Sequence, residues 1–192
     1  KNPLIITFGG AYSNHIAAAS AVGEKYNIKT LGVIRGEELE NKWQGNFTLE
    51  DAHRRGMDFL FVTREAYRDK EKITKDLQEK FPEALIVPEG GTNELAVEGV
   101  KHMLDERTKE FDYICTAVGT GGTISGLSKF AEEHQEILGF KVVDDPTLEE
   151  RIRGLSGRKN FTLFDAHDGR YGKIIDENIQ FINDFYERYD VP

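Results

Sequence analysis

Short apolar runs alternate with longer amphipathic stretches along this chain, and the alternation predicts strand and helix in turn from one end to the other. Leu4 to Phe8 reads as a strand and Ser13 to Tyr26 as an alanine-rich helix. Thr30 to Ile34 is strand, and Thr48 to Arg55 is helix with Gly56 placed to cap its end. Asp58 to Val62 returns to strand, Asp69 to Phe81 to helix, Ala84 to Val87 to strand and Asn93 to Glu106 to helix. Tyr113 to Val118, rich in β-branched residues, reads as a buried strand, and Thr123 to Glu133 as the helix after it. Leu138 to Val143 is strand, and Thr147 to Leu155 is helix with Thr147 and Glu150 in capping-box spacing. Phe161 to Asp165 and Ile175 to Tyr189 close the chain as strand and amphipathic helix. The fold class is therefore α/β, with parallel sheets covered by helices on both faces. The turn Pro88-Glu89-Gly90-Gly91 separates two sets of βα units, so a smaller domain over 1–87 and part of a larger one over 88–192 are expected. No internal repeat or low-complexity segment interrupts the pattern.

Ligands of open parallel sheets bind beyond the carboxyl ends of the strands, and three turns at such ends carry the candidate chemistry. Gly119-Thr120-Gly121-Gly122-Thr123 joins a predicted strand to a predicted helix, where free backbone N–H groups and the positive end of a helix dipole form an anion site. The loop has hydroxyls but no Lys or Arg, the nearest cation in sequence being Lys129, and this suits one steadily held phosphate. A Walker loop would need a Lys after the last Gly. The dinucleotide pattern would need a third Gly where Ile124 stands. The competing explanation is a tight turn in which Gly only relieves strain.

The second turn is Gly9-Gly10-Ala11-Tyr12-Ser13-Asn14-His15. Ser13 is a good N-cap, and the free amides of the first helical turn can receive a carboxylate. Asn14 can donate or accept, and His15 can titrate near neutral pH. The third turn, Pro88 to Asn93, places Gly-Gly before another helix start. Either of these turns is equally well read as a plain capped loop.

A chain of 192 residues with 39% hydrophobic content can build a core, which argues against global disorder. Its net charge of −9 argues against nucleic acid as a partner. No apolar run approaches membrane-spanning length. The lone cysteine, Cys115, cannot form an internal disulfide, which fits a reducing cytoplasm, and its place in a predicted strand points to a buried thiol. No Cys/His spacing supports a metal site.

Taken in order and spacing, FGGAYSNHIAAASA, PEGGTN and AVGTGGTISG resemble the fold-type II (tryptophan synthase β-like) pyridoxal-phosphate enzymes, most closely the 1-aminocyclopropane-1-carboxylate deaminase and D-cysteine desulfhydrase family. DAHDGRYGK, residues 165 to 173, is similar to that family's segment with an active-site tyrosine. The resemblance implies pyridoxal 5'-phosphate as cofactor, with its phosphate on Gly119, Thr120, Gly121, Gly122 and Thr123 and Asn14 beside the ring oxygen. Ser13, Asn14 and His15 would face the substrate carboxylate, and Ser13 and Tyr171 would serve catalysis. It further implies a small amino-acid substrate, a lyase or deaminase reaction and a homodimer, and it includes no nucleic acid, membrane or metal. Ser-Asn-His at residues 13–15, where deaminases commonly carry Ser-Asn-Gln, tilts the expectation towards D-cysteine or another D-amino acid.

The resemblance also places the family's Schiff-base lysine upstream of Lys1, and a segment facing the pyridine nitrogen beyond Pro192. The expectation is of a longer enzyme, this stretch by itself giving no lyase turnover. Two other classes stay open on the residues alone: a non-catalytic module that binds a phosphate ligand, and a nucleotide-dependent enzyme on a Rossmann-like sheet. His53-Arg54-Arg55 reads as cations at a helix end. His102 and His134 read as surface positions on helices, Trp43 as either a cleft-lining or a packing residue, and Arg64 to Lys80 as a solvated helix face.

Overall fold

The computed structural model describes residues 3–167 and 175–190. Among the described residues, seven strands run as β1 Leu4–Gly9, β2 Lys29–Arg35, β3 Met57–Val62, β4 Leu85–Val87, β5 Tyr113–Val118, β6 Glu136–Lys141 and β7 Phe161–Asp165. Helices α1 Asn14–Tyr26, α2 Phe47–Arg54, α3 Lys70–Lys80, α4 Glu94–Val100, α5 Gly122–Phe130, α6 Leu148–Ser156 and α7 Asp176–Tyr189 alternate with them. The strands form two wholly parallel sheets, of order β3-β2-β1-β4 and β5-β6-β7. The α/β class and nearly all the element positions follow the sequence pattern.

The four-stranded sheet is covered on both faces because its strands alternate two sets of apolar side chains. Ile6, Phe8 and Val33 pack towards α3 with Tyr67 and Leu77, whereas Ile34 and Met57 pack towards α1 and α2 with Ile16, Leu49 and Ala52. Its order reverses at β1: the chain leaves β1 on one side to reach β2, and β4 returns on the other. Ligand crevices form at such a reversal, here between the carboxyl ends of β1 and β4.

The three-stranded sheet differs from expectation. Val118, Ile137 and Ile124 form one core with Leu127, Leu148 and Ile152, so α5 and α6 cover a single face. On the other face Tyr113 and Phe140 are exposed, and Phe164 stacks on Phe140 at 5.4 Å between ring centroids. β5 is an edge strand with alternate residues in the open, which corrects the reading of Tyr113 to Val118 as fully buried. Cys115 lies on that open face and is exposed, so the buried-thiol expectation fails for the same reason.

Three local expectations also shift. The helix expected over Asn93 to Glu106 stops at Val100, continued only by a short 3₁₀ turn at Lys101–Met103. His134 lies in the turn after α5 rather than on a helix, and it is exposed. The Thr147–Glu150 capping box does not form; Asp145 Oδ1 instead accepts from the Thr147 amide and hydroxyl at 2.9 and 2.7 Å. By contrast, Ser13 caps α1 as expected, its Oγ accepting from the Ile16 amide at 3.3 Å, and Gly56 ends α2 with φ +88°.

The one-sided sheet gives a direct comparison. Ile137→Ala, which empties a fully buried site, should cost about 2–5 kcal/mol of unfolding free energy. Phe164→Ala, on the open face, should cost less than half of that. Urea denaturation of the two variants checks this, and equal losses would show the open face to be packed.

Candidate functional site

Three turns that are far apart in sequence meet at the carboxyl ends of the strands. Thr7, fully buried on β1, places its Oγ1 2.6 Å from Nε2 of His15 and donates its own hydrogen to the carbonyl of Val87 on β4 at 3.0 Å. This pair of contacts ties α1 to the strand that feeds the Pro88–Asn93 turn. That turn then packs on the Gly-rich loop, with Thr92 Oγ1 2.6 Å from Thr120 Oγ1.

Glycine is required where the turns touch. Gly90 sits at φ +68°, and a Cβ there would fall 2.4 Å from Thr120 Oγ1. Gly91, at φ +69°, places its missing Cβ 3.2 Å from Cε1 of His15. Side chains rarely adopt this backbone region, and here they would also lack room.

The loop after β5 reaches α5 through Gly121, whose φ of +92° turns the chain into the helix. Among the described residues, no protein group accepts from the N–H groups of residues 119–123, nor from those of Asn14 and His15 at the start of α1. Two sets of uncommitted donors, each at the positive end of a helix, therefore lie on joined turns. The loop is fixed from behind by a contact that the sequence does not announce. Arg151, a turn into α6, donates from Nη1 to the carbonyl of Thr120 at 3.2 Å while its Nη2 holds Asp145 and Thr147. The cation nearest in sequence, Lys129, points elsewhere and pairs with Glu98.

A second polar cluster borders the first. Tyr67, only 2% exposed, donates to Glu89 Oε1 at 2.8 Å, and Lys70 Nζ lies 3.2 Å from Glu89 Oε2. Burial and then the Glu89 charge push the Tyr67 phenol well above its ordinary range. Tyr67 stands inside Arg64 to Lys80, which the charge pattern presents as a solvated face. Arg35 lies over the Tyr67 ring, 5.7 Å from its centroid.

Of the residues singled out from sequence, Ser13, Asn14, His15 and Gly119 to Thr123 stand on these joined turns, with Asn14 and Thr123 exposed. Tyr171 lies outside the described residues, as does Lys1. Trp43 packs against His53 and Phe59 at 4.8 and 5.5 Å, in the core beneath α2 rather than over the cleft. Among the described residues, no group of three metal-ligating side chains gathers, and no helix is long and apolar enough to cross a membrane.

No family model matches the chain. A Thermotoga maritima protein named for 1-aminocyclopropane-1-carboxylate deaminase is 34% identical over 190 residues, which cover 88% of this chain and 59% of the relative. An Arabidopsis thaliana protein named as a bifunctional D-cysteine desulfhydrase and 1-aminocyclopropane-1-carboxylate deaminase is 25% identical, over 93% of this chain and 52% of its own. Over most of its own length the chain is thus similar to proteins named for these two activities. The crystal structure of a homologue of the deaminase superposes with a TM-score of 0.71 at 24% identity, over 99% of this chain and 64% of that one, and so shares the fold-type II architecture. The chain spans between half and three-fifths of the length of the curated relatives that it matches.

Two outcomes test this geometry. Gly90→Ala should cost roughly 1–3 kcal/mol in stability, and Thr120→Ala should recover part of that loss when combined with it. Thermal denaturation of the single and double variants reads the coupling; strictly additive losses would show that the turns do not touch. The second concerns His15, which burial holds below its ordinary 6.5 against an opposing pull from Glu89. The unfolded chain then binds the proton more readily, so His15 should make the protein lose stability as pH falls from about 6.5 towards its lower folded value. His15→Gln should flatten that part of the urea-midpoint profile between pH 7 and pH 5.

Proposed function

We propose that this chain carries the phosphate-holding and carboxylate-holding ends of a pyridoxal-phosphate-dependent enzyme that acts on a small amino acid. A D-cysteine desulfhydrase-like β-elimination is favoured over 1-aminocyclopropane-1-carboxylate deamination. The supporting observation is the pair of uncommitted N–H sets at the starts of α1 and α5, joined through the Gly90–Thr120 contact. A phosphate monoester needs several donors without a metal or a lysine, and the loop from Gly119 to Thr123 offers five amides and two hydroxyls. The chemistry of the donors therefore fits the group.

When bound, the cofactor supplies an electron sink for a carbanion next to nitrogen. The chain's own residues orient and exchange protons. Residues 119–123 would hold the phosphate, and Asn14, exposed at the first position of α1, is assigned to the ring oxygen on the family resemblance. The α1 amides and the Ser13 hydroxyl, whose hydrogen stays free while its oxygen caps the helix, receive the substrate carboxylate beside His15. Tyr171 is assigned to substrate contact or proton transfer on the family resemblance. For D-cysteine the products are pyruvate, ammonia and sulfide. Ser-Asn-His at residues 13–15 supports that substrate, and the name of the Arabidopsis thaliana relative carries both activities. The same reading divides the chain at residues 87 and 88 and makes the enzyme a cytoplasmic homodimer.

Thr123→Asp tests the phosphate assignment. An acidic residue in the first turn of α5 supports the helix yet repels a phosphate. Pyridoxal 5'-phosphate affinity, followed by cofactor fluorescence, should fall on the order of tenfold or more while thermal stability holds. Undiminished affinity would overturn the assignment. In the whole enzyme, sulfide release from D-cysteine against 2-oxobutyrate release from 1-aminocyclopropane-1-carboxylate decides between the two activities.

A further inference from the structure

The hydrogens at Thr7 can be counted. A threonine hydroxyl has one hydrogen, and the Val87 carbonyl, 3.0 Å away, can only accept. For both of its contacts to be hydrogen bonds, Thr7 must give its hydrogen to Val87. Its oxygen stands 2.6 Å from His15 Nε2, which must then carry the hydrogen of that contact. In the neutral ring this leaves the lone pair on Nδ1. The Nδ1 atom has no protein partner among the described residues and is not sealed from solvent. It lies 3.5 Å from the position that a Cβ of Gly91 would take, on the side of the ring facing the Gly90–Gly91 turn.

We propose that Thr7 is a positioning residue that fixes His15 as its Nε2–H form, so that Nδ1 serves as the hydrogen acceptor of this site. The inference about the ligand rests on the function proposed above, but the inference about the ring does not. A neutral Nδ1 lone pair repels a carboxylate, which is left to Ser13, Asn14 and the α1 amides. His15 instead receives hydrogen from the ammonium group of the bound amino acid. In the transfer, the bond between ligand atom and hydrogen breaks and its electron pair stays on the ligand; a new N–H bond forms at Nδ1, and the ring becomes an imidazolium. Both forms keep Nε2–H on Thr7. The charge acting on the ring through space is Glu89, on the turn packed against it, which favours the imidazolium. Glu89 is itself held by Tyr67 and Lys70. Gly91 leaves the acceptor edge uncovered, because a side chain there would meet Cε1 and Nδ1.

Nitrogen-15 spectroscopy of the histidine-labelled chain tests the arrangement, with His15→Gln assigning the signal among the five histidines. The wild-type ring should carry its hydrogen on Nε2. Thr7→Val removes an acceptor that stabilises the imidazolium, so the His15 titration midpoint should fall on the order of half a pH unit; Thr7→Ser should keep the wild-type value. If Thr7 instead donated to Nε2, the valine variant would raise the midpoint. A hydrogen on Nδ1 in the wild type, or a midpoint that rises or stays fixed in Thr7→Val, overturns the proposal. Should the valine variant fail to fold, the wild-type spectrum still decides which nitrogen carries the hydrogen. In the holoenzyme, the acid limb of kcat/KM for D-cysteine should move down with the spectroscopic midpoint, and a limb that stays in place overturns the acceptor role. Absence of sulfide release from the wild type would refute the proposed activity, whereas the nitrogen-15 spectra would still decide the arrangement of Thr7 and His15.

Discussion

Everything at this site depends on the close approach of two glycine-rich turns. The Pro88–Asn93 turn lies against Thr120 on one side and His15 on the other, at distances that exclude even a methyl group at Gly90. Because of that contact, the turns at the amino ends of α1 and α5 are joined through one segment instead of standing as two separate surfaces. Neither helix alone would make a binding site, since a lone helix start is met by water as readily as by a ligand. Two of them on joined turns can address opposite ends of one molecule.

The buried polar groups around the joined turns fit the same plan. Thr7 is fully buried, and its hydrogen bonds to Val87 and His15 compensate for the loss of water. Glu89 is held by Tyr67 and Lys70, which fixes the turn that carries Gly90 and Gly91. Such networks hold a backbone in one arrangement when every member has its partner. The polar interior next to the joined turns thus sets the positions of groups that themselves remain uncommitted.

The sequence made the parallel architecture legible because apolar runs of strand length alternate with helical periodicity, as in β1, α1 and β2. It made the Gly-rich strand-to-helix turn legible because three glycines stand between an apolar run and a helical pattern, and Gly121 there does adopt a positive φ. What it hid was long-range. Arg151 touches Thr120 across 31 residues, and nothing in the local composition of α6 marks it. Tyr67 is buried inside a run of charges because one aromatic side chain turns inward while its neighbours face solvent. The exposure of Cys115 was equally hidden, since an edge strand and a central one can share the same β-branched composition; strand order separates them, and that is a property of the whole sheet.

The grip of Arg151 on the Thr120 carbonyl has a kinetic consequence. A guanidinium fork anchored by Asp145 and Thr147 holds the loop's backbone before any ligand arrives. Arrival then demands little ordering of the receptor, so complex formation approaches the pace of orientational encounter. If residues 119–123 hold a phosphate as proposed, discrimination falls to departure: a compact dianion that meets all the amides leaves slowly, and a poorly shaped competitor leaves at once.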